Sequence, residues 1–388
     1  MSRLRIPAAW MRGGTSKGLF FVTGDLPADP AARDAILLRA LGSPDPYGKQ
    51  IDGLGGATSS TSKAVLVSRS TRPDCDVDYL FAQIPIAGTS VDWSGNCGNL
   101  TAAVGPFALA RGLVAAPRDG LATVRIWQAN IGKRIVARVP MADGEVQEDG
   151  DFVLDGVAFA AAEIALDFID PAGSDEGGLF PTGSPLDRLL IADRGEVDAT
   201  LINAGNPLVL VAAEALGLVG NELPAVLNPD RALLEHCEAL RIAGALRMGL
   251  AGDAAAARAR QHTPKLALLS RPAAFTAADG KPVGAAELDL NARVLSMGVF
   301  HHAIPGTAAI ALAAAAAIPD TLAQRLLAAP VAGTLRCGHP SGRVEVGVEV
   351  NVDTRADGGQ WTITRAFMSR SARLLMDGVV VVPASAGG

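Results

Sequence analysis

The segment from Ala308 to Ile318 carries only Ala, Ile and Leu, so every face of a helix built from it is apolar. A helix of that kind is stable only when it is covered on all sides. The run is too short to cross the hydrocarbon of a bilayer, which takes about 20 residues, so it reads as the enclosed core of a globular domain. A second stretch, from about Leu100 to Ala110, is nearly as apolar. Each is entered through a turn of small residues: Gly95-Asn96-Cys97-Gly98-Asn99 before the first, and Met297 to Thr307, including Gly298 and Gly306, before the second. Strand signals surround both, which suggests two similar domains.

Those strands are read at Lys63 to Ser68, Val77 to Ile86, Ala199 to Ile202 and Leu208 to Ala212. A hairpin is expected from Ala122 to Val139, turning near Asn130 to Gly132. Val344, Val346, Val348 and Val350 alternate as in a half-buried strand. Asp29, Pro30 and Gly42 supply the cap, first residue and stop of an ordinary packing helix. Ser371 to Met376 reads as a short helix and Val379 to Val382 as a last strand that can return to the first domain. The chain has 388 residues, above the usual single-domain size. Pro171, Gly173, Gly177, Gly178, Pro181 and Gly183 mark a linker between Asp170 and Gly183. The expected domains are therefore residues 1–185, completed by 377–388, and residues 186–376.

Hydrophobic residues make up 49% and charged residues 19%, which excludes a disordered chain. A net charge of −6 gives no pull towards nucleic acid or an anionic membrane. If the ligand is acidic, its cationic partners must be local. Cys75, Cys97, Cys237 and Cys337 form no CxxC pair, so neither zinc nor a disulfide framework is indicated, and a reduced, cytoplasmic setting is expected. Arg3 and Arg5 are not followed by a signal-peptide apolar core.

The N-terminal "MRGGTSKG", Met11 to Gly18, has the composition of a phosphate loop but the wrong order, and strand-like residues lie on both sides of it. An anion-holding hairpin fits better. Its Arg12, Thr15, Ser16 and Lys17 are candidate ligands for an acidic substrate.

Two residues carry the stronger chemical signal. Cys97 sits where a helix begins, and free backbone N–H groups there favour a thiolate or a bound carboxylate. Asn96, Gly98 and Asn99 add hydrogen-bonding groups and tight backbone geometry. Lys63 follows the hydroxyl run Thr58 to Ser62 at the mouth of an apolar strand, with Ser60, Thr61 and Ser62 able to receive carboxylate oxygens. To act as a base it must lose a proton. From an ordinary pKa near 10.4, being half neutral at pH 7 costs roughly 4.6 kcal/mol. Burial and neighbouring cations push that way; a bound polycarboxylate pushes back. In the second half, Asn203, Asn206 and the Gly205 turn are candidate substrate contacts, as are His301, His302 and the His339 to Ser341 loop. His236 and His262 read as surface or core residues. No HExxH or GxSxG spacing occurs, so no metal site is expected.

The blocks "MRGGTSKG", "GSPDPYGKQIDGLGGATSSTSK", "YLFAQ", "DWSGNCGNLTAAVGPF", "RIWQANIGK", "LINAGNP", "ALRMG" and "GHPSGR" resemble the PrpF family of 2-methylaconitate cis-trans isomerases, over nearly the whole chain. The resemblance implies an α+β diaminopimelate-epimerase-like fold: two similar domains, each a sheet curled round a central helix, with the active site in the cleft between them. It implies Lys63 and Cys97 as the catalytic pair. The epimerases place a cysteine at both helix starts, whereas the second turn here, Ile304 to Thr307, has none, so a symmetric two-thiol racemase is not expected. Met297, Gly306, Thr307 and Ser341 complete the implied substrate contacts. The implied reaction is an allylic proton transfer in an unsaturated tricarboxylate, needing no cofactor because the substrate delocalises its own charge. A 4-oxalomesaconate tautomerase is the related alternative. A non-catalytic accessory protein of an iron–sulfur dehydratase is the alternative of a different class. A homodimer and functional coupling to such a dehydratase are the partner states it leaves open.

Overall fold

The computed structural model describes residues 3–172, 178–191, 195–331, 333–353 and 360–384. The chain forms two compact units, Met1–Leu166 with Ser369–Gly388, and Asp167–Met368. Both boundaries fall earlier than the expected 185/186 and 376/377. Each lies inside a strand, Ile164–Ile169 and Gln360–Arg370, so no Gly- or Pro-rich loop advertises it. The expected linker belongs to the second unit at its start: Gly205 N–H donates to the Pro171 carbonyl at 2.7 Å, and Ala172 bridges Ala204. Gly173 and Gly177 lie outside the described residues.

The first unit opens with an antiparallel hairpin, β1 (Arg3–Gly13) and β2 (Ser16–Val22), which leads into helix α1 (Pro30–Leu41). The Asp29 carboxylate accepts from Ala32 N–H at 2.8 Å and Gly42 ends α1 in the left-handed region, as the cap signals require. β3 (Lys63–Arg69) then pairs parallel to β2, and β4 (Val77–Gln83) antiparallel to β3. Helix α2 (Thr101–Ala110) follows, then β5 (Gly120–Gln128), parallel to β4, and β6 (Lys133–Ala142), antiparallel to β5. The C-terminal strand Ala372–Pro383 closes the unit by pairing antiparallel with β1. Successive side chains of β2 face opposite ways. Phe20 meets Phe107 of α2, ring centroids 5.5 Å apart, while Phe21 joins Ile36, Leu37 and Leu41 of α1. The sheet thus has α1 on one face and wraps α2 with the other.

Residues 101–109 of α2 are all buried, so the enclosed helix is where its composition requires it. Gly105 is part of that fit. A Cβ there would lie 2.8 Å from Cγ2 of Val139 on β6, nearer than real side chains approach.

The second unit repeats the plan. Gly195–Ala204 and Asn206–Ala212 form an antiparallel hairpin, Lys265–Ser270 pairs parallel to it, and Leu290–Ser296 pairs antiparallel in turn. The helix Gly306–Ala317 follows, then Thr334–His339, parallel, and Gly342–Asp353, antiparallel. Both units therefore run antiparallel, parallel, antiparallel, parallel, antiparallel, with the enclosed helix after the fourth strand. Every residue from Gly306 to Ala316 is buried. Helix Arg231–Arg247 packs on the strand Asn206–Ala212, where a Cβ on Gly244 would come within 2.4 Å of Val209.

One expected element is corrected. Residues 371–376 are not a helix; Ala372 to Met376 belong to the C-terminal strand. Register pairs Gly13↔Ala372, Arg12↔Arg373 and Met11↔Leu374 supply the hydrogen bonds that a single turn of isolated helix could not match. His339 likewise ends a strand and is buried, so only Pro340 and Ser341 form the turn.

Candidate active site

Three glycines of the opening hairpin let it press against the start of α2. A Cβ on Gly13 would lie 2.8 Å from the Asn99 carbonyl oxygen, and one on Gly14 2.6 Å from Asn99 Oδ1; a Cβ on Gly18 would lie 2.7 Å from the Lys63 carbonyl oxygen. Gly14 also has a φ of 52°, which side chains disfavour. Thr15 Oγ1 accepts from Asn99 Nδ2 at 3.0 Å, and Lys17 N–H donates to the Ser60 carbonyl at 2.9 Å. The hairpin, the Ser/Thr loop and the helix start are thereby joined into one constellation.

Cys97 is fixed through its backbone. Its carbonyl accepts from Thr101 N–H at 3.0 Å, Thr101 Oγ1 at 2.9 Å and Tyr79 Oη at 3.3 Å. Burial, with Cys97 next, pushes the Tyr79 phenol well above its ordinary pKa, so Tyr79 stays a donor. The sulfur accepts from Leu100 N–H at 3.5 Å, which gives α2 a thiol at its N-terminus in place of the usual oxygen cap.

Lys63 opens β3 and is 5% exposed. Its Nζ donates to Gln83 Oε1 at 2.8 Å and lies 5.0 Å from the Phe81 ring centroid, and the Cys97 side chain is near enough to act on it electrostatically. Burial lowers its pKa, against Cys97, which raises it. Gln83, directly opposite Lys63 in the β3/β4 register, has its amide held by the Ser62 carbonyl at 2.9 Å and the Ser59 carbonyl at 3.4 Å, so its oxygen is turned to the amine. Among the described residues no carboxylate pairs with Lys63, and a buried amine near a thiol makes the pair a candidate for proton transfer.

The other candidates divide. Ser16, Ser60, Asn96 and Asn99 are buried, Asn96 and Gly98 flank Cys97 in the turn before α2, and Ser60 lies three residues before Lys63. Ser62 instead donates to Gln50 Oε1 at 2.6 Å, and Thr61 Oγ1 pairs with Thr58 Oγ1 at 2.8 Å, so these hydroxyls brace their own loop. Arg12 Nη1 donates to the Ser371 carbonyl at 2.9 Å, Ser371 Oγ at 3.0 Å and the Gly14 carbonyl at 3.2 Å; it braces the hairpin turn. Lys17 Nζ stands 5.7 Å from the Trp10 ring centroid.

Within the second unit, the Gly205 turn faces the start of the enclosed helix as Gly14 does in the first: a Cβ on Gly205 would lie 3.7 Å from Thr307 Cβ. Asn206 and Thr307 are buried, Gly306 begins the helix, and no side chain caps it. Met297 has a φ of 56°, a left-handed conformation uncommon for a side-chain-bearing residue. Ser341 Oγ donates to the His302 carbonyl at 2.6 Å.

The sequence marks out no role for Gln83, Tyr79, Lys265 or Arg370. Gln83 was legible in principle from its place opposite Lys63. Lys265 opens the third strand of its unit as Lys63 does, and its Nζ donates to the His262 carbonyl at 2.9 Å.

This repeated sheet-and-helix plan is the epimerase-like fold: a hydroxyproline epimerase from Agrobacterium vitis superposes with a TM-score of 0.56 over 99% of this chain and 95% of that one, at 13% identity. Residues 3–383 match the family of the PrpF protein, and the chain belongs to it. It is 53% identical to a 2-methyl-aconitate isomerase of Cupriavidus necator, covering 99% of this chain and 98% of the relative. It is 42% identical to a 4-oxalomesaconate tautomerase of Pseudomonas putida, over 98% and 97%. A crystal structure of methylitaconate-delta-isomerase superposes with a TM-score of 0.78 at 36% identity, over 100% of this chain and 98% of that one.

Proposed function

We propose that this protein isomerises an unsaturated tricarboxylate by allylic proton transfer, with 2-methyl-trans-aconitate converted to 2-methyl-cis-aconitate. The buried Lys63 amine, held by the neutral Gln83 oxygen and close to Cys97 at the start of α2, carries the reading. Neutral Lys63 removes a proton from the carbon allylic to the double bond. The electron pair delocalises across the double bond into a carboxylate, leaving a single bond about which the carbon skeleton rotates. The Lys63 ammonium then returns the proton, so none is gained or lost. The N–H groups of Gly98 and Asn99 and the Thr15 hydroxyl stabilise the charge developing on carboxylate oxygen. Cys97 tunes the proton affinity of Lys63 and holds it in place.

The higher identity to the 2-methyl-aconitate isomerase favours this substrate over 4-oxalomesaconate. An intact lysine–thiol pair favours catalysis over an accessory role. Action in the cytoplasm, a homodimer, and coupling to an iron–sulfur dehydratase that consumes the cis product belong to the same proposal.

The test is incubation of the purified protein with each tri-acid in deuterated water, followed by NMR. Isomerised 2-methylaconitate carrying deuterium at the allylic carbon is expected. Turnover of neither tri-acid sinks the reading, and faster turnover of 4-oxalomesaconate reassigns the substrate.

A further inference from the structure

Arg370 is the last residue of the strand Gln360–Arg370 and is 2% exposed. Its Nε donates to Asn99 Oδ1 at 3.3 Å and its Nη1 to the Ser369 carbonyl at 2.9 Å. These are neutral acceptors, and among the described residues no carboxylate pairs with it. Several arginines are paired with carboxylates, Arg365 with Asp167 at 2.6 Å, Arg336 with Asp289 at 2.7 Å and Arg111 with Asp377 at 2.5 Å, whereas the buried Arg293 of the second unit meets backbone carbonyls, neutral acceptors like those of Arg370. A guanidinium carries five N–H donors in a fork that fits a carboxylate, and burying its charge without a counter-ion is costly. Burial alone draws its pKa down to about 10, so it remains a cation at neutral pH.

Its position gives that cost a purpose. Asn99, which it touches, is two residues from Cys97 and joins the hairpin through Thr15. We propose that Arg370 is the carboxylate-binding residue of this site, its guanidinium pairing with one carboxylate of the tri-acid. The proposal deepens the isomerase reading and rests on it. It also answers the electrostatic problem of that reading: a polycarboxylate would restore the proton affinity of Lys63 unless another cation takes the negative charge. Arg12 makes three hydrogen bonds through a single nitrogen that brace the hairpin turn, whereas Arg370 reaches Asn99 beside Cys97.

The test uses propane-1,2,3-tricarboxylate, a saturated tri-acid that cannot isomerise, and glutarate, with one carboxylate fewer. Binding is measured by calorimetry, and thermal unfolding is followed with and without each ligand. Wild type is expected to bind the tri-acid more tightly. Arg370→Met is expected to weaken that binding about tenfold or more, to remove the preference over glutarate, and to unfold without ligand at the same or a higher temperature. Arg370→Lys keeps the charge but loses the fork; it should raise KM for the substrate more than it lowers kcat, and it serves the test if Arg370→Met does not fold. Unchanged tri-acid binding in Arg370→Met, or in Arg370→Lys an unchanged KM with unchanged binding, overturns the proposal. Arg370-dependent binding without turnover of any tri-acid would overturn the isomerase reading instead and leave the anchor standing.

Discussion

The two enclosed helices begin in similar surroundings and hold different chemistry. Each starts behind a hairpin turn pressed against it, Gly14 on Asn99 in one unit and Gly205 towards Thr307 in the other. In each, a buried lysine opens the third strand, Lys63 or Lys265. The first lysine reaches a thiol at the helix start, whereas the second donates to the carbonyl of His262, three residues before it. The second helix opens with Pro305, Gly306 and Thr307, none of which can exchange a proton as a thiol can. The scaffold is thus repeated, whereas the lysine and thiol proposed to transfer the proton occur at one helix start and not at the other. That favours one base acting on one face of the substrate, in place of two thiols facing each other.

The sharpest way to break this asymmetry is to remove each lysine in turn. Lys63→Ala should lower kcat by about 10²–10⁴-fold with the fold intact by circular dichroism. Lys265→Met should lower stability by about 1–3 kcal/mol in denaturant titration and kcat by less than about tenfold, the loss being a buried hydrogen bond. A loss of turnover in Lys265→Met matching that of Lys63→Ala would abolish the distinction. Next in size is Cys97→Ser, expected to cost about tenfold to a hundredfold in kcat. Its pH profile carries the sign: activity rises as Lys63 loses its proton, and burial already sets that limb below the 10.5 of an ordinary lysine. Cys97 raises the Lys63 pKa, so replacing it should move the limb to lower pH. A limb that moves up shows that the thiol does not hold the amine as described.

Two smaller effects sharpen the packing side of the comparison. Gly105→Ala forces a methyl against Val139 and should cost about 1–3 kcal/mol in thermal or denaturant unfolding, because the enclosed helix cannot shift away. Asp29→Ala removes the cap of α1 outside the enclosed core and should cost about 1 kcal/mol with turnover unchanged. A larger loss at Asp29 than at Gly105 would contradict the view that the wrapped helix governs stability in this unit.

Much of the candidate site was legible because its signals are local. Lys63 stands beside its hydroxyl run, Cys97 before an apolar helix, and the glycines of the hairpin within one octapeptide. Other assignments changed because the partner was distant or the group already occupied. Arg12 looked like a ligand in sequence, yet it is bonded to Ser371, 359 residues away. Ser62 looked like one of several free hydroxyls, yet Gln50 holds it. The domain boundaries were missed because they lie within strands and leave no mark of composition.

The sequence by itself determined that two all-apolar helices must be enclosed, that strands must do the enclosing, and that a lysine and a cysteine would stand at the mouth of one of them. Periodicity, caps and turn residues are properties of a few neighbouring positions, and the chain states them directly. Only the tertiary structure decided that the last strand begins at Ala372 and takes in the residues read as a helix, since its hydrogen-bond partners are on β1 at the other end of the chain. That same return brings Arg370 to Asn99 across 271 residues and leaves a buried cation beside the start of α2. No local pattern encodes the pairing, because it exists only once the sheet has closed.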